Sequence, residues 1–144
     1  MHPPHGLPGR QHFDPADVPD LLPNLRLVEV HRDPLRFRYR LLGSRVDMVH
    51  GRNLANQWLD VAHRGDGKVD ALLADYRRVV ETGQPQWRRG TPHVVPEPEI
   101  AAVEVLRLPL ARDGATIDML LCLSLYFDAA GRDVNTTLRR IFGY

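Results

Sequence analysis

From Arg36 to Leu41 apolar and basic residues alternate: Phe37, Tyr39 and Leu41 on one parity, with Arg36, Arg38 and Arg40 on the other. A period of two is that of a strand with one apolar face. Leu25–Val30 reads as a second strand, and Arg32-Asp33-Pro34 as the turn that makes the two a hairpin. At Gly43 the period changes. Ser44–Leu59 reads as short, broken helices joined by a turn at Gly51. The clearest helix runs from Lys68 to Thr82, where Val69, Leu72, Leu73, Tyr76, Val79 and Val80 recur at the spacing of one helical face. Asp66 is placed to cap it, and Gly83 followed by Pro85 stops it.

Three more strands follow, over Gln86–Val95, Ile100–Ala111 and Thr116–Phe127. Pro96-Glu97-Pro98 separates the first two, and Arg112-Asp113-Gly114 is an Asp-Gly hairpin signal between the last two. In the last strand Ile117, Met119, Leu121, Leu123 and Leu125 share one face, while Leu120, Cys122 and Tyr126 share the other. A half-exposed strand would carry polar residues on one side, so both faces are predicted to be covered. The same unbroken apolarity places this strand centrally, between the hairpin and Ile100–Ala111. The predicted divisions are a loose, proline- and glycine-rich arm (1–13), a short helical element (14–24), one domain (25–127) and a tail (128–144) with a last helical turn at Thr137–Phe142. Asp14-Pro15 opens the helical element, and Val18, Leu21, Leu22 and Leu25 form its apolar side.

Two strands, several short helices, one long helix and three strands make up this order. Together with the passage from Phe37 through Gly51-Arg52-Asn53-Leu54, it resembles a PAS domain, the small sensory module of bacterial signalling proteins, and in particular the short stand-alone members. The resemblance covers Leu25 to Tyr126. It implies an α+β fold: a five-stranded antiparallel sheet with short helices and one long helix on one face, around an interior cavity. It also implies a sensory or ligand-binding role without catalysis. Flavin-binding light sensors of that group carry a reactive cysteine directly after Gly-Arg-Asn. Leu54 stands there and has no thiol, so no flavin adduct is expected. Haem-binding members place a proximal ligand in the helical middle, where His50 and His63 lie. An axial ligand alone identifies no haem site, and haem is not expected either.

A length of 144 residues bounds the chain to one domain with a single core. The formal charge is +1, and the arginines are scattered among acids with Lys68 the only lysine, which argues against a nucleic-acid surface. No apolar run reaches membrane-spanning length, and the Pro/His/Gly-rich start lacks the pattern of a secretory leader. A cytoplasmic location is therefore expected. Cys122 is the only cysteine; it cannot form an internal disulfide, and a buried, inert thiol is expected.

The residues expected to hold a ligand are Phe37, Tyr39, Met48, Trp58, Tyr76 and Trp87. They come from the hairpin, the helical middle, the long helix and the next strand, which in a PAS-like fold surround one cavity. Aromatic walls with polar tips suit a small organic molecule, and Arg52 and Arg88 are candidates for charge at its mouth. Asp47, His50, Asp60 and His63 are the one cluster dense enough for acid–base work, but no nucleophile elbow, phosphate loop or zinc signature accompanies them. His2, His5 and His12 do not fit a compact tetrahedral metal site, and His93, between Pro92 and Pro96, is expected to face solvent. The expected output is association with a signalling protein, and a homodimer built on the sheet's outer face and the N-terminal segment. Two alternatives stand beside it. One is a small α+β enzyme with a cone-shaped pocket, resembling the nuclear-transport-factor-like group, against which the hairpin ahead of the long helix counts. The other is an interaction scaffold with no ligand.

Overall fold

The structure is a computed structural model that describes residues 6–14, 17, 19–93, 95 and 98–134. The first two strands form a hairpin, β1 (Leu25–His31) with β2 (Arg36–Leu42), in which Val30 pairs with Phe37; Phe37 and Tyr39 face the core as the alternation predicts, but a register shift between Leu27 and Val28 turns Leu41 outward and Leu42 inward. The helical middle is α1 (Ser44–His50) and α2 (Leu59–Ala62), and the long helix is α3 (Val69–Thr82). Three strands follow: β3 (Gln86–Gly90), β4 (Ala102–Leu110) and β5 (Met119–Phe127). They form one five-stranded antiparallel sheet in the order β2-β1-β5-β4-β3. The last strand is central, between the hairpin and β4, as its apolarity predicts.

Two glycines shape the helical layer. A side chain at Gly43 would place its Cβ 2.2 Å from the Leu22 carbonyl oxygen, so only glycine lets the β2–α1 corner approach the Leu22–Asn24 turn. Gly83 ends α3 in the left-handed region (φ 66°), which glycine reaches at no steric cost. On α3 the predicted stripe faces the sheet: Leu72, Tyr76 and Val79 are buried, and Leu73 and Val80 are partly so. They pack with Val28, Phe37, Val46, Leu59 and Leu120 in the main core. A second cluster joins Val49, Ile100, Val103, Val105, Tyr126 and Val134.

Some boundaries differ from the sequence reading. β3 stops at Gly90 and does not reach Val95, since Pro92 has no N–H to offer a neighbouring strand. β5 begins at Met119 and not at Thr116. Asp113 Oδ1 accepts the backbone N–H groups of Ala115 (2.9 Å) and Thr116 (2.7 Å), lengthening the turn and swinging Ile117 into the main core. Residues 6–13, read as a loose arm, lie along the β4–β5 hairpin. Leu7 N donates to Gly114 O (2.9 Å), and Pro8 O accepts from Ala111 N (2.8 Å). Val18 and the expected turn at Thr137–Phe142 lie outside the described residues.

The two faces of the sheet have unusual polarities. The buried face of β5 carries Leu120, Cys122, Ser124 and Tyr126, and Arg26 and Arg107 join it from β1 and β4. The opposite face of β5 carries Met119, Leu121, Leu123, Leu125 and Phe127, all only partly buried. Register extends this apolar face sideways in two rows: Leu25, Leu123, Leu106 and Trp87 in one, and Leu41, Leu27, Leu121 and Leu108 in the next.

Candidate functional site

Strand register brings a set of polar side chains together beneath α3. Arg26 on β1 pairs with Cys122 on β5, Cys122 pairs with Arg107 on β4, and Arg107 pairs with Gln86 on β3. Two guanidinium groups therefore enter the interior from strands on either side of β5, whose small Cys122 and Ser124 leave room for them. Arg26 is buried and Arg107 is only 1% exposed.

Tyr76, reaching down from α3, lies against both. Its ring centroid is 5.9 Å from the Arg26 guanidinium carbon and 5.0 Å from that of Arg107. Arg26 Nε donates to the Tyr76 hydroxyl at 2.9 Å, and another Arg26 nitrogen donates to Ser124 Oγ. Arg107 donates to Gln86 Oε1 at 2.9 Å and lies 3.7 Å from Asp75 Oδ2. Asp75 is shared, since His93 Nε2 is 3.1 Å from the same oxygen and Gln86 Nε2 donates to the other at 3.4 Å. Arg107 Nε is buried and has no partner among the described residues.

The third wall carries imidazoles. Tyr39 Oη and His63 Nε2 are 2.7 Å apart, and the rings of His63 and His50 are centred 5.6 Å from each other. Burial pushes His50 down to about 3, helped by His63 and by the charges of Arg26 and Arg52. Burial likewise pushes His63 down to about 4, with Arg52 and Arg26 acting the same way against an opposing effect of Asp66. Both are neutral at pH 7. Burial raises the phenols of Tyr39, Tyr76 and Tyr126, keeping them neutral also. Burial opposes the charge of Arg26, yet its pKa lies above the ordinary arginine value through Tyr76, Cys122, Tyr126 and Tyr39.

Of these groups, Arg26, Tyr39, His50, Tyr76, Arg107 and Ser124 line a cavity of about 40 Å³. Arg26, Tyr39, Tyr76, Arg107 and Ser124 are its buried lining, and the partly exposed Arg88, Pro92 and His93 form the rim. Two larger, more apolar grooves lie on the other side of the sheet, flanking Phe13. One of about 350 Å³ runs along Leu25, Leu27 and Leu41; the other, of about 510 Å³, runs along Leu7, Pro85 and Leu108. Size favours the outer grooves and polarity the inner cavity. Compared with these two grooves, the inner cavity brings buried hydrogen-bonding groups to one point, which is what orients a small molecule.

Of the seven residues predicted to hold a ligand, the structure brings Tyr39 and Tyr76 to the cavity. Phe37 packs on Tyr76 (5.4 Å between rings) inside the core and away from the lining. Met48 packs against the second apolar cluster. Trp58 bridges to edge strand β2 and is covered by Arg36, whose guanidinium carbon is 4.2 Å from the ring centroid. Trp87 is 64% exposed and points to the outer face, because the inward parity of β3 belongs to Arg88. Arg52 donates to the Ala62 carbonyl, tying α1's end to α2. The aromatic side chains are thus not gathered around one cavity, and Arg88 stands at the rim of the inner one. His93 turns toward Asp75 and does not simply face solvent.

The acid–base cluster is divided as well. His50 and His63 meet, but Asp60 is drawn away to Arg36 at 2.9 and 3.2 Å. Asp47 keeps a buried oxygen without a partner among the described residues, and burial raises its carboxyl pKa. No group of metal-ligating side chains is present among the described residues. Sequence reasoning missed Arg26, Arg107, Asp75 and Ser124. A signal was available: Arg26 shares its parity with Val28 and Val30, and Arg107 with Val103 and Val105, while Glu29 and Glu104 mark the other parity.

Comparison with known proteins agrees with this architecture. A profile described as "PAS domain" matches residues 2–124. No curated protein sequence matches the chain. Among solved structures, the chain is similar to a sensory box sensor histidine kinase from Vibrio cholerae, with a TM-score of 0.55 and 13% identity over 78% of this chain and 88% of that one. At that identity the likeness concerns the fold. Among the described residues no helix is long and apolar enough to cross a membrane.

Proposed function

This chain belongs to the PAS domain family, and from that premise we propose a non-catalytic sensory module that takes a small molecule beneath α3 and signals by protein association on the outer sheet face. One observation carries the reading: charged and polar side chains are buried within the face under the helices, while the opposite face carries a broad apolar patch. The face under the helices holds Arg26, Arg107, Ser124 and Cys122, where packing alone would favour aliphatic side chains. The face away from them holds two rows of mainly leucine residues that the described N-terminal segment covers only in part. Buried polar groups are costly and are retained where they bind or specify something. A broad apolar face marks an association surface.

The partner for that face is a second copy of the chain. A two-fold pairing buries the same patch twice, so it needs apolar area and shape but no charge complementarity. Ligand entry beneath α3 would change how that helix rests on β4 and β5. The outer residues of the same strands would then carry the change to the interface. A location in the cytoplasm accords with this role. The separation of Asp60 from His50 and His63 argues against the acid–base alternative.

The scaffold reading keeps one observation in its favour, the small volume of the inner cavity. Native mass spectrometry of freshly purified protein separates the two. A retained small molecule on a dimer is expected; a ligand-free protein whose melting responds to no added small molecule favours the scaffold.

A further inference from the structure

We propose that the inner cavity is a receptor for the oxyanion head of a small ligand, a carboxylate or a phosphate group, bound by the guanidinium groups of Arg26 and Arg107 where they line the cavity beside the Tyr76 ring. This rests on the reading of the domain as a ligand-binding sensor and names the chemistry of what it binds. The first support is charge. Both guanidinium groups are permanently protonated, and among the described residues no carboxylate lies within ion-pair distance of Arg26. Among the described residues Asp75 is the carboxylate paired with Arg107, at 3.7 Å, and it already serves His93 and Gln86. The other lining groups are phenols, a hydroxyl and imidazoles. His50 and the tyrosines are held neutral by burial, so none of them offsets the second cation.

Open hydrogen-bonding capacity is the second support. Arg107 Nε is buried and unpartnered among the described residues, a costly arrangement in an empty site and a useful one for a ligand oxygen. Guanidinium forks match the paired oxygens of carboxylate and phosphate, which accept two parallel bonds at once. Size is the third. About 40 Å³ exceeds the roughly 10–15 Å³ that one water requires, but it is too small for an aromatic ring. Only a compact head fits. The rest of the ligand would lie across the rim, where Arg88 adds a third positive charge beside Pro92 and His93.

The test uses the purified chain, with thermal melting and titration calorimetry in sodium acetate and in sodium phosphate, each against sodium chloride at equal ionic strength. A saturable rise in melting midpoint with one or both oxyanions is expected. Acetate alone would identify a carboxylate head, phosphate alone a phosphate head. Arg107→Met should weaken binding at least about tenfold, and Arg107→Lys, which keeps charge but loses the fork, should fall between it and the parent. Arg26→Met should act like Arg107→Met; where it fails to fold by circular dichroism, the two Arg107 variants carry the comparison. Absence of any saturable response in the parent protein, or an undiminished response in folded Arg107→Met, overturns the proposal. Native mass spectrometry separates the two levels. A retained neutral or cationic molecule removes the oxyanion and leaves the sensor, whereas a protein that neither retains nor responds to any small molecule removes both.

Discussion

Arg26 and Arg107 lie in one transverse row of the sheet, each the neighbour of Cys122 on opposite sides of β5. Strand spacing sets their backbones about 10 Å apart, too far for contact but close enough for both side chains to lean over the small residues between them. The Tyr76 ring lies against both, its centroid 5.9 Å from the guanidinium carbon of Arg26 and 5.0 Å from that of Arg107. One aromatic residue from α3 thereby senses both cations, linking the sheet's charged row to the helix above it.

Removing the Tyr76 hydroxyl should therefore be costly even though the ring stays. In Tyr76→Phe the buried Arg26 Nε loses the acceptor it now has at 2.9 Å. A hydrogen bond to a charged group contributes about 1.5–3 kcal/mol, and the loss should fall in that range. Urea unfolding monitored by circular dichroism should report a lower midpoint with an unchanged slope. A variant as stable as the parent would mean that solvent or another group satisfies Arg26.

The fold was legible in the sequence where one physical period dominated. Alternation from Phe37 to Leu41 and the helical stripe from Leu72 to Val80 each demanded a single element, and the apolar run in β5 demanded a central place. Binding residues were less legible. Arginines in the apolar contexts Leu25-Arg26-Leu27 and Leu106-Arg107-Leu108 are ordinarily assigned to water, and with leucine on the alternate positions the rule sends them outward. Only the acids at Glu29 and Glu104 mark that outer parity. The placement of the rings is hidden for the opposite reason. Ring size says a side chain needs burial but not on which side of the sheet, so Trp87 and Trp58 were assigned inward although strand parity and the edge arginines turn them away.

Gly43 offers a test of the corner that seats α1. Its φ of −66° suits any residue, so strain is not the issue; the Leu22 carbonyl 2.2 Å from a built Cβ is. Gly43→Ala must part the β2–α1 corner from the Leu22–Asn24 turn, including the 2.7 Å bond from Gly43 N to Leu25 O. A loss of about 1–3 kcal/mol is expected from chemical denaturation, the range for forced overpacking. Ordinary alanine behaviour, near neutral, would show that this corner adapts freely.

Stability should fall as pH drops below the ordinary range of histidine. His50 is held at about 3 and His63 at about 4 in the folded chain, against an ordinary 6.5 in the unfolded one. Between those values the unfolded chain binds more protons, so stability rises with pH there. The contribution is fully present above pH 6.5 and is lost progressively as pH falls toward 4. For His50 the slope approaches about 1.4 kcal/mol per pH unit. Arg26 and Arg52, which disfavour protonation of both rings, and Asp66, which favours it at His63, set the depth of the effect. Denaturation midpoints measured from pH 7.5 to 4.5 in His50→Gln should lose part of this dependence. A parent protein with flat stability across that interval would contradict the neutral imidazole pair.

The outer face yields the prediction with the clearest physical readout. Leu25, Leu123, Leu106 and Trp87 form a continuous row across four strands, ending on a tryptophan 64% exposed. If a second copy covers this row, sedimentation should report a dimer that dissociates on dilution. A charge at the centre should break it. Leu123→Glu places a carboxylate between two leucines in a desolvated interface and should cost about 2 kcal/mol or more, roughly thirtyfold in the dissociation constant. Trp87→Ser, at the end of the row, should weaken association less and leave ligand binding untouched, because its side chain is on the far side of the sheet from the cavity. Both positions are only partly buried in the single chain, so the variants should fold. Circular dichroism establishes that before sedimentation is read. Equal sedimentation of parent and Leu123→Glu across a hundredfold range of concentration would mean that this face meets something other than its own copy.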